Sequence, residues 1–339
     1  MRYIIIGAGA VGGTVGGRLA GSGAEVVLVA RGAHRTALTE GGLRLRVPQG
    51  EQTYRLPVVD GPTALGTLRA DDVLVLAVKT QDSETALQAW AAAPVEGGGT
   101  AAERLPLVCA QNGVESQRLA LRRFRHVYGV CVWLPSTLVE PGVVSADGAP
   151  LTGILHLGRH PHGVDDTARR IAADLEKAHF EAPVVADVSR WQYAKLLSNL
   201  GNALEAVSGL GGDPEAEAIY ARVRAEGETV LRAAGIPYAS TEEQRAVRGD
   251  KVTLVPLDDA PRGGSSWQSL SRGAGSIEAD YLNGEIALLG RLHGVPTPLN
   301  ELLQRLANTF AREHRAPGSL PVEELARLAD DAVAFLQEG

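Results

Sequence analysis

Lys195, Asn199 and Asn202 stand in the stretch RWQYAKLLSNLGNAL, residues 190–204. Trp191, Leu196, Leu197, Leu200 and Leu204 recur there at close to helical spacing, so the segment reads as a helix. Residues three and four apart share a helix face, which puts one ammonium and two amides on the same side. Such a stripe is either a solvated face or a wall built to meet a polar ligand. An ammonium can stabilise a developing oxyanion and then supply its proton, and an amide one turn on can hold a carbonyl or hydroxyl. At the other end of the chain, Gly7, Ala8, Gly9, Ala10, Val11 and Gly12 spell G-x-G-x-x-G. Alone the pattern is weak. Here it follows a predicted strand, RYIII, and opens a predicted helix, the setting in which such a turn holds a dinucleotide. Gly7 then serves the tight turn, Gly9 the approach of a pyrophosphate and Gly12 close helix–strand packing, with the helix's free N–H groups facing the anion.

The end of the second strand decides between the two nicotinamide dinucleotides. A carboxylate there binds the ribose hydroxyls of NAD and repels a 2′-phosphate. In EVVLVARG that end carries Ala30 and Arg31, while Glu25 sits at the strand's start. Arg31 is suited to paired charge-assisted hydrogen bonds with a phosphate, which points to NADP. Arg35 is placed to share or replace that role. The alternative for Arg31 is a solvated surface arginine.

These groups need a scaffold. YIIIG, EVVLVA, DVLVLAV and PLVCAQ are apolar without alternation, as strands buried on both faces of a parallel sheet are. Helical segments lie between them, so the first half reads as an α/β, doubly wound domain. HVYGVCVWLPSTLVEPGVVSADG and GILHLGR read as antiparallel strands. A helix from Asp165 to Ala178 and a strand, APVVAD, close the domain near Asp187. The remainder reads as almost wholly helical, with LDDAPRGGSSWQS as a Gly/Ser loop entering a helix. The expected division is therefore 1–187 and 188–339, with a cleft where the two meet.

The 339 residues suffice for two cores. A net charge of −7 and the lack of a Lys/Arg run argue against nucleic acid as a partner. Cys109 and Cys131 both fall in apolar segments, as in a reducing compartment. No signal peptide or membrane-length apolar run is read, so the expectation is a soluble, cytoplasmic protein. The helical half also allows a homodimer. His156, His160 and His162 in HLGRHPHG suggest a metal site, but no cysteine or carboxylate clusters with them in sequence, and the expectation is no metal.

The order GAGAVG, VLVARG, AVKTQD, AQNGVES, WQYAKLLSN, SIEADYLNG resembles that of the ketopantoate reductases (2-dehydropantoate 2-reductases) over nearly the whole chain. The resemblance implies a Rossmann-type domain followed by a helical domain like the C-terminal one of 6-phosphogluconate dehydrogenases. It implies that Lys195 is the general acid and that Lys79, Asn112 and Glu278 contact the cofactor. It makes Asn112, Asn199 and Ser266 substrate-binding positions. Bland alternatives stand beside these: a capping or surface lysine for Lys79, an Asn-Gly turn for Asn112, a first-turn glutamate for Glu278 and a helix cap for Ser266.

The implied reaction is reduction of a 2-keto acid by NADPH, 2-dehydropantoate to pantoate in pantothenate biosynthesis or a related ketone. The chain departs from the family at Ala203, where a second substrate asparagine is usual. It departs again at Asp213-Pro214, in place of Asn-Gly, and in WQSLSRGAGSIE after Ser266. Asn202, one residue before Ala203, is turned by about 100° around a helix and is no automatic replacement. The cofactor and proton-transfer positions are kept and the substrate positions partly rewritten. A non-catalytic NADP(H)-binding sensor is the competing class.

Overall fold

A computed structural model describes all residues except Leu210, 258–262 and 338–339; the middle of the expected Gly/Ser loop lies outside the described residues. The chain forms two compact units, Met1–Gln192 with Ala239–Asp259, and Tyr193–Tyr238 with Ala260–Gly339. The expected cut at 187 into two continuous pieces differs from this partition.

The first unit runs through β1 (Arg2–Ile6), α1 (Ala10–Gly21), β2 (Glu25–Val29), α2 (Gly32–Gly41), β3 (Leu43–Val47), β4 (Gly50–Tyr54), β5 (Val58–Val59), β6 (Asp72–Leu76), α3 (Ser83–Ala91), α4 (Ala101–Arg104), β7 (Pro106–Cys109) and α5 (Glu115–Leu121). It continues with β8 (His126–Trp133), β9 (Ser136–Glu140), β10 (Val143–Ala146), β11 (Gly148–Pro150), β12 (Gly153–Arg159), α6 (Asp166–Lys177) and β13 (Phe180–Glu181). Among the described residues eight strands form one sheet in the order β13-β12-β8-β7-β6-β1-β2-β5. It is parallel except where β12 runs against β8. Residues of β1 alternate between two cores: Tyr3 and Ile5 pack with α1 and α6, and Ile4 and Ile6 with α3 and α5. This is why the strand carries no polar alternation.

A second sheet, β4-β3-β10-β9, was not expected. In β3, LRLRV buries every other residue, the signature of a strand with one wet face. Helix α1 lies between the two sheets. A Cβ at Gly16 would press on Leu28 and Ile5 of the large sheet, and one at Gly17 on Leu45 and Leu43 of the small one. The expected strand APVVAD shrinks to a bridge from Val184 to Leu157, since Pro183 has no N–H to extend a ladder.

The segment 239–259 holds α10 (Thr241–Arg248) and β14 (Val252–Leu254), a strand within the half expected to be helical. It belongs with the first unit through β14 pairing on β11, Arg190 Nη2 donating to both Glu243 carboxylate oxygens at 2.7 and 2.9 Å, and Lys251 on Glu181 at 2.6 Å. Helix α7 (Val188–Asn199) and α8 (Gly201–Ser208) replace the single expected helix, with Leu200 as the joint. The second unit then adds α9 (Pro214–Ala233), α11 (Ser265–Ser271), α12 (Asn283–His293), α13 (Pro298–Arg312) and α14 (Val322–Gln337). Its core joins Leu196, Leu197, Val223, Val230, Ile286, Leu303 and Phe310. A buried chain of amides crosses it: Asn283 Nδ2 donates to Leu200 O and to Asn300 Oδ1, both at 3.1 Å, and Asn300 Nδ2 donates to Val223 O at 3.0 Å. Among the described residues no helix is long and apolar enough to cross a membrane.

His156 of β12 stacks on Trp191 with ring centroids 4.0 Å apart. It is 3% exposed, and neither ring nitrogen has a hydrogen-bond partner among the described residues. No group of three or more His, Cys, Asp or Glu among the described residues is placed to hold a metal. Burial pushes the His156 pKa down to about 4. The native ring is therefore neutral, whereas the unfolded chain takes up a proton below its ordinary value of about 6.5. Stability is full above that value and is lost as pH falls toward 4, by up to about 3 kcal/mol. Replacing His156 by Phe keeps the stack and removes two unmet polar atoms. Denaturant titrations should show His156→Phe gaining stability over the parent chain, by more near pH 5 than near pH 7.

Candidate functional site

The turn after β1 departs from the sheet at Gly7, whose φ of +101° suits glycine. Its N–H and that of Ala8 both donate to Val29 O, at 3.2 and 3.1 Å. A Cβ at Gly7 would strike Val78 N, and one at Gly12 would run into Gly7 O, Ile5 and Ala77. Both glycines therefore serve the fold. Gly9 does not: a Cβ there meets nothing within 4 Å, and its φ of −72° is open to any residue. The space in front of Gly9 belongs to a cleft of about 340 Å³ lined by Gly7, Ala8, Ala30, Arg31, His34, Asp60 and Trp90 among others. The turn, the helix N-terminus and the open space beside Gly9 fit the phosphates of a dinucleotide.

Arg31 is the residue before α2, exposed and on the cleft wall. Arg35 is paired with Asp60 at 2.8 Å, so its guanidinium already has a carboxylate. Glu25 bonds Arg69 at the opposite end of β2. Asp60, one residue past β5, is an acid on this cleft wall that sequence reading missed; the strand beside β2 is found by pairing alone. His34 was also missed. Its Nε2 lies 2.7 Å from Ala8 O, and burial lowers its pKa.

Lys79 and Asn112 follow β6 and β7 at the same C-terminal sheet edge, half-buried, and are not among the residues lining this cleft. Gln111 ties their two loops, its Nε2 donating to Val78 O and Ser83 Oγ, each at 2.8 Å. The Asn112-Gly113 turn is present, with Gly113 at φ +78°. Cys109 and Cys131 are buried thiols outside any disulfide, and the Cys131 Sγ donates to Trp191 O at 3.3 Å.

In the second unit, Lys195 is half-buried on α7, and Asn199, one turn on, is 4% exposed. The Asn199 Nδ2 has no partner among the described residues, nor does the Oγ of Ser266, which is 2% exposed. An unmade hydrogen bond on a buried polar atom costs about 1–3 kcal/mol. Both atoms belong to residues expected from the sequence to bind substrate. Ser266 does not cap its helix, since Gly264 precedes α11 and Ser266 lies inside it. Glu278 is 4% exposed in a short 3₁₀ turn, Glu278–Tyr281, rather than in the first turn of α12. Asn202 is half-buried and donates to Ser265 Oγ at 3.4 Å, and Ala203 beside it is buried. Asp213 caps α9 through Glu215 N and Ala216 N. Glu205, unnoticed in the sequence, accepts from Gly264 N at 2.7 Å, and burial raises its pKa.

The two kinds of glycine separate experimentally. Gly9→Ala should leave the melting temperature nearly unchanged and weaken dinucleotide binding by about tenfold or more. Gly12→Ala should cost about 1–3 kcal/mol of stability, read by denaturant titration.

The family described as ketopantoate reductase PanE/ApbA matches residues 3–162, and its C-terminal part matches residues 187–311. The 2-dehydropantoate 2-reductase of Pyrococcus horikoshii is 26% identical, over 94% of this chain and 100% of its own. The ketopantoate reductase structure from Ralstonia eutropha JMP134 superposes with a TM-score of 0.75 at 28% identity, covering 93% of this chain and 100% of that one. A D-mandelate dehydrogenase with NADH and anilino(oxo)acetate shares the fold, with a TM-score of 0.78 at 23% identity and the same coverage. The two family matches span well over half of the sequence, and the chain belongs to the ketopantoate reductase family.

Proposed function

We propose that this chain is an NADPH-dependent reductase converting a 2-keto acid, 2-dehydropantoate or a close relative, to the 2-hydroxy acid. The observation that carries the reading is the buried, unpartnered amide of Asn199 one turn from Lys195. NADPH, when bound, supplies the hydride. Hydride addition to the keto carbon leaves the electron pair of the C=O bond on oxygen. The Lys195 ammonium stabilises that alkoxide and gives it a proton, which completes the alcohol. Asn199 and Ser266 hold the substrate's oxygens, and Lys79, Asn112 and Glu278 contact the cofactor, Asn112 reaching the substrate as well. Gly7–Gly12 receives the pyrophosphate, and Arg31 the 2′-phosphate. The rewritten positions Ala203 and Asp213 favour a second reading, an NADP(H)-binding sensor without turnover.

The test follows NADPH oxidation with a panel of 2-keto acids that includes 2-dehydropantoate. Turnover with at least one supports the reductase, and nucleotide binding with no turnover supports the sensor. Lys195→Ala should lower kcat by about 10²–10⁴-fold with the Kd for NADPH unchanged; near-normal kcat removes Lys195 as the acid. Arg31→Ala should raise the Kd for NADPH by about tenfold and leave that for NADH alone; equal effects on both would move the 2′-phosphate contact elsewhere.

A further inference from the structure

We propose that His34 is a positioning residue for the cofactor: it holds the Ala8 carbonyl, and so sets the Ala8–Gly9 peptide in the orientation that receives the dinucleotide's phosphates. The inference rests on the dinucleotide reading of the cleft. Gly142 N–H donates to His34 Nδ1 at 3.0 Å. A nitrogen that accepts carries no proton, so the neutral ring bears its hydrogen on Nε2 and donates it to Ala8 O, 2.7 Å away. A trans peptide points its C=O and N–H in opposite directions. Fixing the Ala8 oxygen therefore fixes where the Gly9 N–H points. The Ala8 N–H is already bound to Val29 O at 3.1 Å, and Gly9 O accepts from Gly13 N at 2.7 Å. With His34 added, the peptide is held from β2, from α1 and from α2.

The anchor behind the ring is itself rigid. Gly142, at φ +86°, turns between β9 and β10 so close to α2 that a Cβ on it would lie 3.1 Å from that of Ala37. Its carbonyl accepts from Arg44 N in β3. His34 thus links the glycine turn of the large sheet to a corner of the small one, from a position on the cleft wall. A residue needed only to pack the hairpin would have no use for a donor aimed at the cofactor turn.

The test uses the full chain with His34→Ala, His34→Gln and His34→Asn. Kd values for NADPH and NADH come from nucleotide fluorescence, alongside melting temperature, KM for the nucleotide and kcat. An amide N–H of Gln reaches the Nε2 position and can keep Ala8; the Asn oxygen sits near Nδ1 and can keep only Gly142. His34→Ala and His34→Asn should weaken nucleotide binding by about 5–20-fold, raise KM in step and hold kcat within about twofold at saturation. His34→Gln should recover most of the affinity. Should His34→Ala fail to fold, the Asn and Gln variants decide between them. Binding within about twofold of the parent in folded His34→Asn, or no recovery in His34→Gln, would overturn the inference. A parent chain that binds neither nucleotide would overturn the cofactor reading and this inference together.

Discussion

Helix α1 has a β-sheet against each of two sides, and the small residues along it let both close in. Five of its twelve residues are glycine, a composition that weakens an isolated helix by about 1 kcal/mol per glycine relative to alanine. Leu28, Ile5 and Val26 press on Gly16 from the large sheet, Leu43 and Leu45 on Gly17 and Val144 on Gly13 from the small one. Burial of apolar surface on both sides of the helix offsets its poor propensity. The same closeness brings the N-terminus of α1 down onto Gly7 and Ala77, and that terminus is what an anion meets. The fold and the cofactor turn are consequences of one packing arrangement.

The opposite logic governs the second unit. Its interior is crossed by a chain of amide hydrogen bonds that runs from Asn300 through Asn283 and ends on the Leu200 carbonyl, at the joint between α7 and α8. That joint stands next to Asn199 in sequence. The buried side-chain atoms without a partner among its described residues are the Asn199 amide nitrogen, the Ser266 and Ser208 hydroxyls and, within the amide chain itself, Asn283 Oδ1.

Sequence periodicity was enough to find what depends on local pattern. Unbroken apolar runs marked the strands buried on both faces, and the glycine spacing marked the turn after β1. Asp165 was recognised at the start of α6, where its side chain accepts from Ala168 N. The β3–β4 hairpin escaped because GEQTY is almost wholly exposed and carries no apolar period. The joint at Leu200 escaped because its residue keeps helical angles, φ −60° and ψ −26°. His34, Asp60, Gln111 and Glu205 owe their places to partners 26 to 108 residues away, or to a neighbouring strand, and no local signal encodes such pairings. The role proposed for Lys195 rests on the order of motifs along the whole chain, since one lysine on a helix has no pattern of its own.

The two ends of the dinucleotide cleft differ in how free they are to change. Gly7 and Gly12 are walled in by backbone and core, whereas Arg31 and Asp60 are exposed at the rim. Substitutions at the rim touch little of the core, so the charge pattern there can change without disturbing the sheet. The glycine turn has no such freedom, because any side chain at Gly7 or Gly12 must displace backbone that the sheet itself needs.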